Sequence, residues 1–252
     1  MATPIEPPVG PPLGFPKCPQ CTYLRNGPPR TCLACAARTF EGIGPNACPV
    51  CNQILDGHEC PNWRLCSDPN RRISRIHAIA YLSGPLQKKI WNYKYDGKTG
   101  WSLIFGRLLL AWLDRNLREA SPDVIIANPT YLGEDGTAFG HTECVIDVAA
   151  NEDVLSEWPF DTANPRALIK ISATSKSAGS SASAKRAAAA ELSSALQLPD
   201  QGRIAGKRIL VYDDVCTTGS QLNTIAGLLI DKGGALSVEA VVLARAPWRQ
   251  RL

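Results

Sequence analysis

Eight of the ten cysteines fall between Cys18 and Cys66. Cys18-Pro-Gln-Cys21, Cys32-Leu-Ala-Cys35 and Cys48-Pro-Val-Cys51 are CxxC knuckles, and Cys60 and Cys66 complete a second group of four. A CxxC lets one tight turn supply two thiolates, and zinc prefers four of them in a tetrahedron. The pattern predicts two structural Zn2+ sites with every ligand position filled. Sequential sites would use Cys18, Cys21, Cys32 and Cys35, then Cys48, Cys51, Cys60 and Cys66. A cross-braced arrangement would interleave the pairs, and His58 could replace Cys60. Disulfides or an iron–sulfur cluster are the competing chemistries. The N-terminus has no basic n-region and no apolar h-region, so it does not read as a secretory signal. A cytoplasmic location follows as an expectation, and reduced thiols there favour metal over disulfides. Cys144, outside the cluster, reads as a buried small residue.

The second chemical stretch is Arg208 to Gln221, RILVYDDVCTTGSQ. A hydrophobic strand ends in two acids, a loop with hydroxyls and one glycine follows, and a helix starts. Strand, loop and helix N-terminus together make an anion site. The backbone amides of Cys216 to Ser220 and the hydroxyls of Thr217, Thr218 and Ser220 can ring a phosphate. Gly219 allows close approach. Asp213 and Asp214 beside a phosphate make sense if they accept hydrogen bonds from sugar hydroxyls or support Mg2+. The bland alternative is a capped helix with two acids in its turn.

The rest of the chain must position these groups. It has 252 residues, 44% hydrophobic and 20% charged, enough for a real core. That excludes collagen, coiled coil and full-length disorder. The most apolar stretch, Leu103 to Leu113, is broken by Arg107 and too short to cross a bilayer, so no membrane partner is expected. The net charge of +4 is too small to establish a polyanion partner. Residues 1–16 carry six prolines and read as a disordered or polyproline-like arm. Residues 17–70 form the Cys-rich zinc-binding segment, too poor in aliphatics to fold unaided. From residue 71 to 252 short apolar strands alternate with helices. Strands are expected at 76–82, 123–127, 167–171, 208–212 and 237–243. Helices are expected at 85–95, 101–118, 141–154, 181–196 and 218–232. The fold class is therefore α/β, a mostly parallel sheet with helices on both faces, plus the small N-terminal zinc domain. Ser172 to Ser183 is small and polar and suits a mobile loop.

VYDDVCTTGS resembles the phosphoribosyl-pyrophosphate (PRPP) motif of type I phosphoribosyltransferases. AIAYLSGPLQKKIWNYKYDGK, at 78–98 and following the cysteine knuckles, is similar to the matching segment of ComF-like proteins. Those are predicted amidophosphoribosyltransferases linked to DNA uptake. The order of knuckles, this segment and the Asp-Asp loop covers most of the chain. The resemblance implies a type I phosphoribosyltransferase fold, flavodoxin-like in layout, for residues 71–252. It implies that Asp213 and Asp214 contact ribose and that Val215, Cys216, Thr217, Thr218, Gly219 and Ser220 hold the 5′-phosphate. Asn128, Pro129 and Thr130 would form the pyrophosphate loop, and Lys94 could approach the same anion or be a solvated lysine. The implied reaction transfers the phosphoribosyl group from PRPP, bound with Mg2+, to a nitrogen acceptor. Asp214 and His141 are the candidates for acid–base work. The sequence departs from the family where Arg-Gly-Phe-Asn-Gln is usual: here it reads Phe139-Gly140-His141-Thr142-Glu143. The next segment offers Lys170, Lys176, Lys185 and Arg186 as replacement cations or as solvated charges.

Two readings compete with catalysis. One is a protein that binds PRPP or a related sugar phosphate without turnover, which the missing arginine motif favours. The other is a module for single-stranded nucleic acid. Arg25, Arg30, Arg38, Arg64, Arg71, Arg72 and Arg75 put cations in and just after the zinc segment, with four acids between Lys17 and Arg75. Tyr23, Phe40 and Trp63 could stack on bases. The same arginines would also simply keep a small domain soluble.

Overall fold

The computed structural model describes residues 40–136, 138–174 and 182–248, with side chains for all of these but 182, 183 and 185. The Pro-rich arm, Cys18, Cys21, Cys32, Cys35, Tyr23, Arg25, Arg30, Arg38, Lys176 and the side chain of Lys185 lie outside the described residues.

A short helix α1 (Trp63–Cys66) precedes β1 (Ile76–Tyr81), α2 (Gly84–Tyr95), α3 (Trp101–Asn116), β2 (Val124–Ala127) and α4 (His141–Glu152). Then come β3 (Ile169–Lys170), α5 (Ala182–Ala195), β4 (Leu196–Gln197), β5 (Arg208–Cys216), α6 (Ser220–Asp231) and β6 (Ser237–Arg245). The main sheet has the order β1-β6-β5-β2, and every neighbouring pair is parallel. A parallel sheet covered on both faces needs apolar residues on both. Alternation along the strands sorts them. Leu210, Tyr212, Val241 and Leu243 join a core with α2, α3 and α4. Ile209, Val211, Ala240 and Val242 join a second core with α5 and α6. The α/β class with helices on both faces is thus realised.

Helix α3 is apolar almost all round because it is covered on several sides. Leu108, Leu109, Leu110 and Leu113 are fully buried. Gly106 lets α4 approach: a Cβ there would lie 3.0 Å from the Ala149 amide nitrogen and 3.1 Å from Val148 Cγ1.

Two expectations need correction. Residues 167–171 do not enter the main sheet. Only Ile169–Lys170 is extended, and it pairs antiparallel with Leu196–Gln197. The free edge of β2 is taken instead by Pro159–Asp161: the Ile125 amide donates to Pro159 and the Asp161 amide to Ile125. The strand expected to stop at Tyr212 runs on to Cys216. Val215 and Cys216 still pair with Ala244 and Arg245, so the acids lie inside the strand rather than after it.

The described part of the Cys-rich segment docks on the edge of β1. The Ile76 amide donates to Val50, the Tyr81 amide to Glu41, and the Ala78 amide to Asn52 Oδ1. These bonds satisfy groups an edge strand would otherwise leave open. No helix among the described residues is long and apolar enough to cross a membrane.

Gly106→Leu should overpack the α3–α4 contact and cost about 1–3 kcal/mol. Urea unfolding would show this as a lower midpoint with an unchanged slope.

Candidate functional site

The sulfurs of Cys48, Cys51, Cys60 and Cys66 all lie within 4.8 Å of one another. Three of the pairs are tight: Cys48–Cys66 is 3.8 Å, Cys51–Cys60 is 3.7 Å and Cys60–Cys66 is 3.6 Å. A tetrahedron with metal–sulfur bonds of about 2.3 Å has edges of about 3.8 Å. The spacing is far too long for a disulfide, whose sulfurs sit about 2.05 Å apart. The group could therefore hold a zinc ion. The CxxC turn is closed by the Asn52 amide donating to Cys48 and the Cys48 amide donating to Gln53. These four cysteines are sequential, so the interleaved pairing does not apply to them, and His58 is not in the group. A hydrogen bond with Cys66, helped by Arg245, holds the Cys51 thiol well below its usual range, at about 4.

The turn around Gly219 lies directly against this group. After Cys216 the chain makes a short turn, and Gly219 takes a left-handed conformation (φ 78°) before α6 begins. A Cβ on Gly219 would lie 2.6 Å from Ile76 Cδ1 and 2.8 Å from Leu65 Cδ2. Both the backbone sign and the space demand glycine. Thr217, Thr218 and Ser220 are exposed around it, and the Thr218 and Ser220 hydroxyl oxygens are 3.0 Å apart. The Asn62 side chain, between Cys60 and Cys66 of the sulfur group, donates to the Thr218 carbonyl at 2.9 Å. Arg245, at the end of β6, is fully buried. Its guanidinium donates to the carbonyls of Cys51 (2.9 Å), Cys216 (2.9 Å) and Thr217. It also lies 3.7 Å from Cys51 Sγ and 3.3 Å from Cys216 Sγ.

Successive strand residues face opposite ways, which separates the two acids. Asp213 hydrogen-bonds with Asn128, whose Oδ1 accepts from Gln221 of α6 at 3.4 Å. Asp214 faces α2 and α4, where Lys94 Nζ is 2.5 Å and His141 Nε2 is 3.1 Å from its Oδ2. Both carboxylates are buried. Burial and the neighbouring Asp214 charge push Asp213 well above the usual carboxylate range. Burial acts the same way on Asp214, but His141 and Lys94 outweigh it and hold that acid low. The pair therefore carries its charge mainly on Asp214. Lys94 loses by burial and gains more from Asp214, so its pKa rises.

The loop after β2 completes the rim. The Asn128 amide donates to Tyr212 at 2.7 Å, and the Asn128 carbonyl accepts from the Thr142 hydroxyl at 2.6 Å. The Thr130 amide donates to Glu143 Oε1 at 2.6 Å. Thus the stretch that departs from the family pattern, 139–143, forms the start of α4 and holds this loop. Tyr93 of α2 supports it by donating its hydroxyl to the His141 carbonyl at 2.6 Å.

Lys94, Asn128, Pro129, Thr130, Asp213, Asp214 and the turn Val215–Ser220 therefore gather at one end of the sheet. Lys94 is an ion-pair partner rather than a free surface charge. Lys170 instead donates to Thr174 at 2.7 Å, and Arg186 is exposed. Phe40 is buried in the core and does not offer a stacking face, whereas Trp63 is exposed and carries Arg64 over its ring at 5.4 Å. Cys144 is half-buried. Sequence reasoning missed Asn62, Glu143 and Arg245. Arg245 left a signal: it is the charged residue that closes the apolar run VVLA.

These parts define a class: an α/β protein with a buried acid pair and a glycine turn at the C-terminal edge of a parallel sheet, braced by a four-cysteine group of metal-binding geometry. Over 224 residues the chain is 26% identical to the competence protein ComFC of Streptococcus pneumoniae (strain ATCC BAA-255 / R6), covering 88% of this chain and 90% of that protein. Over 222 residues it is 28% identical to the DNA utilization protein YhgH of Escherichia coli O157:H7, covering 85% and 89%. No protein-family model matches. These similarities, over most of the chain, support a ComF-like family.

Cys60→Ser should remove one metal ion per chain relative to the wild type, read by elemental analysis of the purified protein. Equal metal content in the two proteins would show that this group holds none.

Proposed function

We propose that the site binds PRPP with Mg2+ and transfers its phosphoribosyl group to a nitrogen acceptor, releasing pyrophosphate. The observation that carries this reading is the convergence at one sheet edge of the acid pair, the Gly219 turn at the start of α6, the 128–130 loop and Lys94. Ligands of open parallel sheets bind outside the C-terminal ends of the strands. In this proposal the turn and the N-terminus of α6 hold the 5′-phosphate, where the helix end favours an anion. Asp213 and Asp214 accept hydrogen bonds from the ribose hydroxyls. The 128–130 loop faces the diphosphate, and Lys94 offsets part of its charge. Mg2+ would neutralise the leaving diphosphate.

The protein's own contribution is positioning and electrostatics. His141, fixed beside Asp214, is placed to move a proton at the acceptor nitrogen. The relatives are named for competence and DNA utilization, which supports a cellular use of this chemistry in DNA uptake or processing. The same names, with exposed Trp63 under Arg64, favour the second reading, a nucleic-acid contact through the metal knuckle.

Calorimetric titration should show PRPP binding that depends on Mg2+. Asp213→Ala and Asp214→Ala should each weaken it by roughly 10- to 100-fold, as expected for losing hydrogen bonds to a charged group. Normal binding by both variants would remove the ribose assignment. Pyrophosphate release across a panel of amine and base acceptors separates an enzyme from a sensor.

A further inference from the structure

The four-cysteine centre and the phosphate turn share their supports. Asn62 sits between two metal ligands and holds the Thr218 carbonyl. Leu65, one residue before the ligand Cys66, closes over Gly219. Arg245 donates at once to the Cys51 carbonyl and to the carbonyls of Cys216 and Thr217. Gln53, two residues after Cys51, donates to the Ala246 carbonyl at 3.0 Å and tethers the strand end that carries Arg245.

The charge balance points the same way. A fully buried guanidinium needs compensation. Among the described residues the hydrogen-bond partners of Arg245 are carbonyls and sulfurs, not a carboxylate. Four thiolates around a dication form a net negative centre, and Cys51 Sγ lies within reach of the guanidinium. The loaded centre would therefore supply the counter-charge for Arg245. Within the turn, Thr217 and Thr218 are exposed, and the Ser220 amide donates to the Thr218 hydroxyl at 3.3 Å.

We infer that Arg245 and Asn62 are positioning residues through which metal occupancy of the Cys48–Cys51–Cys60–Cys66 centre sets the conformation of the 217–219 turn. Occupancy of the metal site and binding of an anion at the turn are then linked. By reciprocity each raises the affinity for the other by the same factor. An emptied or oxidised centre no longer fixes the loop that carries Asn62 and the CxxC backbone that Arg245 grips, and lets the turn open. The coupling gives the protein a metal-dependent control on its anion site. This inference rests on the proposed function only in naming PRPP as the anion.

The test is amide hydrogen exchange of the full chain, comparing wild type, Cys60→Ser, Asn62→Ala, Arg245→Lys and the double variant Cys60→Ser/Asn62→Ala. Cys60→Ser should speed exchange at 217–219 by roughly tenfold while β5 residues 209–211 stay protected. Asn62→Ala should loosen the turn with its metal content unchanged. The double variant should be little worse than Cys60→Ser, because both changes cut one connection. Arg245→Lys keeps the charge but not the planar fork, so it should loosen the turn and retain metal. Unchanged exchange at 217–219 in Cys60→Ser would overturn the inference. So would fully additive effects, or loss of protection across the whole sheet in Cys60→Ser with no loosening in Asn62→Ala. A parallel titration with Mg2+ and PRPP keeps the two claims apart. If wild type binds no PRPP, the proposed function fails while the exchange result still decides the coupling.

Discussion

A guanidinium shut away from water must find its partners in protein, and Arg245 finds them in both halves of the site. It ends β6, which lies between β1 and β5 in the sheet. From there its nitrogens reach the CxxC backbone on one side and the end of β5 on the other. That single side chain ties a segment with few aliphatics to the strand that carries the acid pair. The knuckle gains a docking surface it could not build alone, and the turn gains a rigid wall. Gly219 follows from the same constraint. With Ile76 and Leu65 pressed against it, no larger residue fits, and the left-handed turn into α6 becomes obligatory.

The electrostatics of the site follow from burial of two adjacent acids. Two neighbouring carboxylates in a dry strand end cannot both ionise at ordinary cost. Strand alternation resolves this by giving them different surroundings. Asp214 meets Lys94 and His141 and keeps its charge, while Asp213 meets Asn128 and tends to hold its proton. Each of these partners comes from a different element: α2, α4 and the loop after β2. The helices that cover the first core therefore also set the charge state of the pair, and packing and chemistry cannot be altered independently here.

Much of this was legible in the sequence, for physical reasons. The βα alternation appears because a doubly covered parallel strand must be apolar on both faces, and RILVY and VVLA have no other use. The thiol group was legible because CxxC spacing has one economical geometry, and the acid pair because two adjacent acids interrupt an otherwise apolar strand. What stayed hidden depends on tertiary contact. Asn62 looked like a loop residue among prolines and glycines, and its amide is informative only once Thr218 is seen beside it. His141 was expected at the start of a helix and as an acid–base candidate, but its contact with Asp214 depends on how α4 docks on the sheet. The 167–171 stretch is apolar enough for a strand. Its place beside β2 is taken by Pro159–Asp161, a competition that local pattern does not reveal. The end of β5 was misjudged because acids usually mark a turn, while here pairing with Ala244 and Arg245 carries the strand past them.

The central claim is that the Gly219 turn, braced by the metal knuckle, and the flanking acids form one anion- and sugar-binding site. A crystal structure of the full chain grown with PRPP and Mg2+ tests it most directly. The 5′-phosphate should sit on the 217–220 turn, with the ribose hydroxyls against Asp213 and Asp214 and the cysteine centre intact behind Arg245. A ligand bound elsewhere on the chain, with the turn empty and Asp214 still paired to Lys94 and His141, would contradict it.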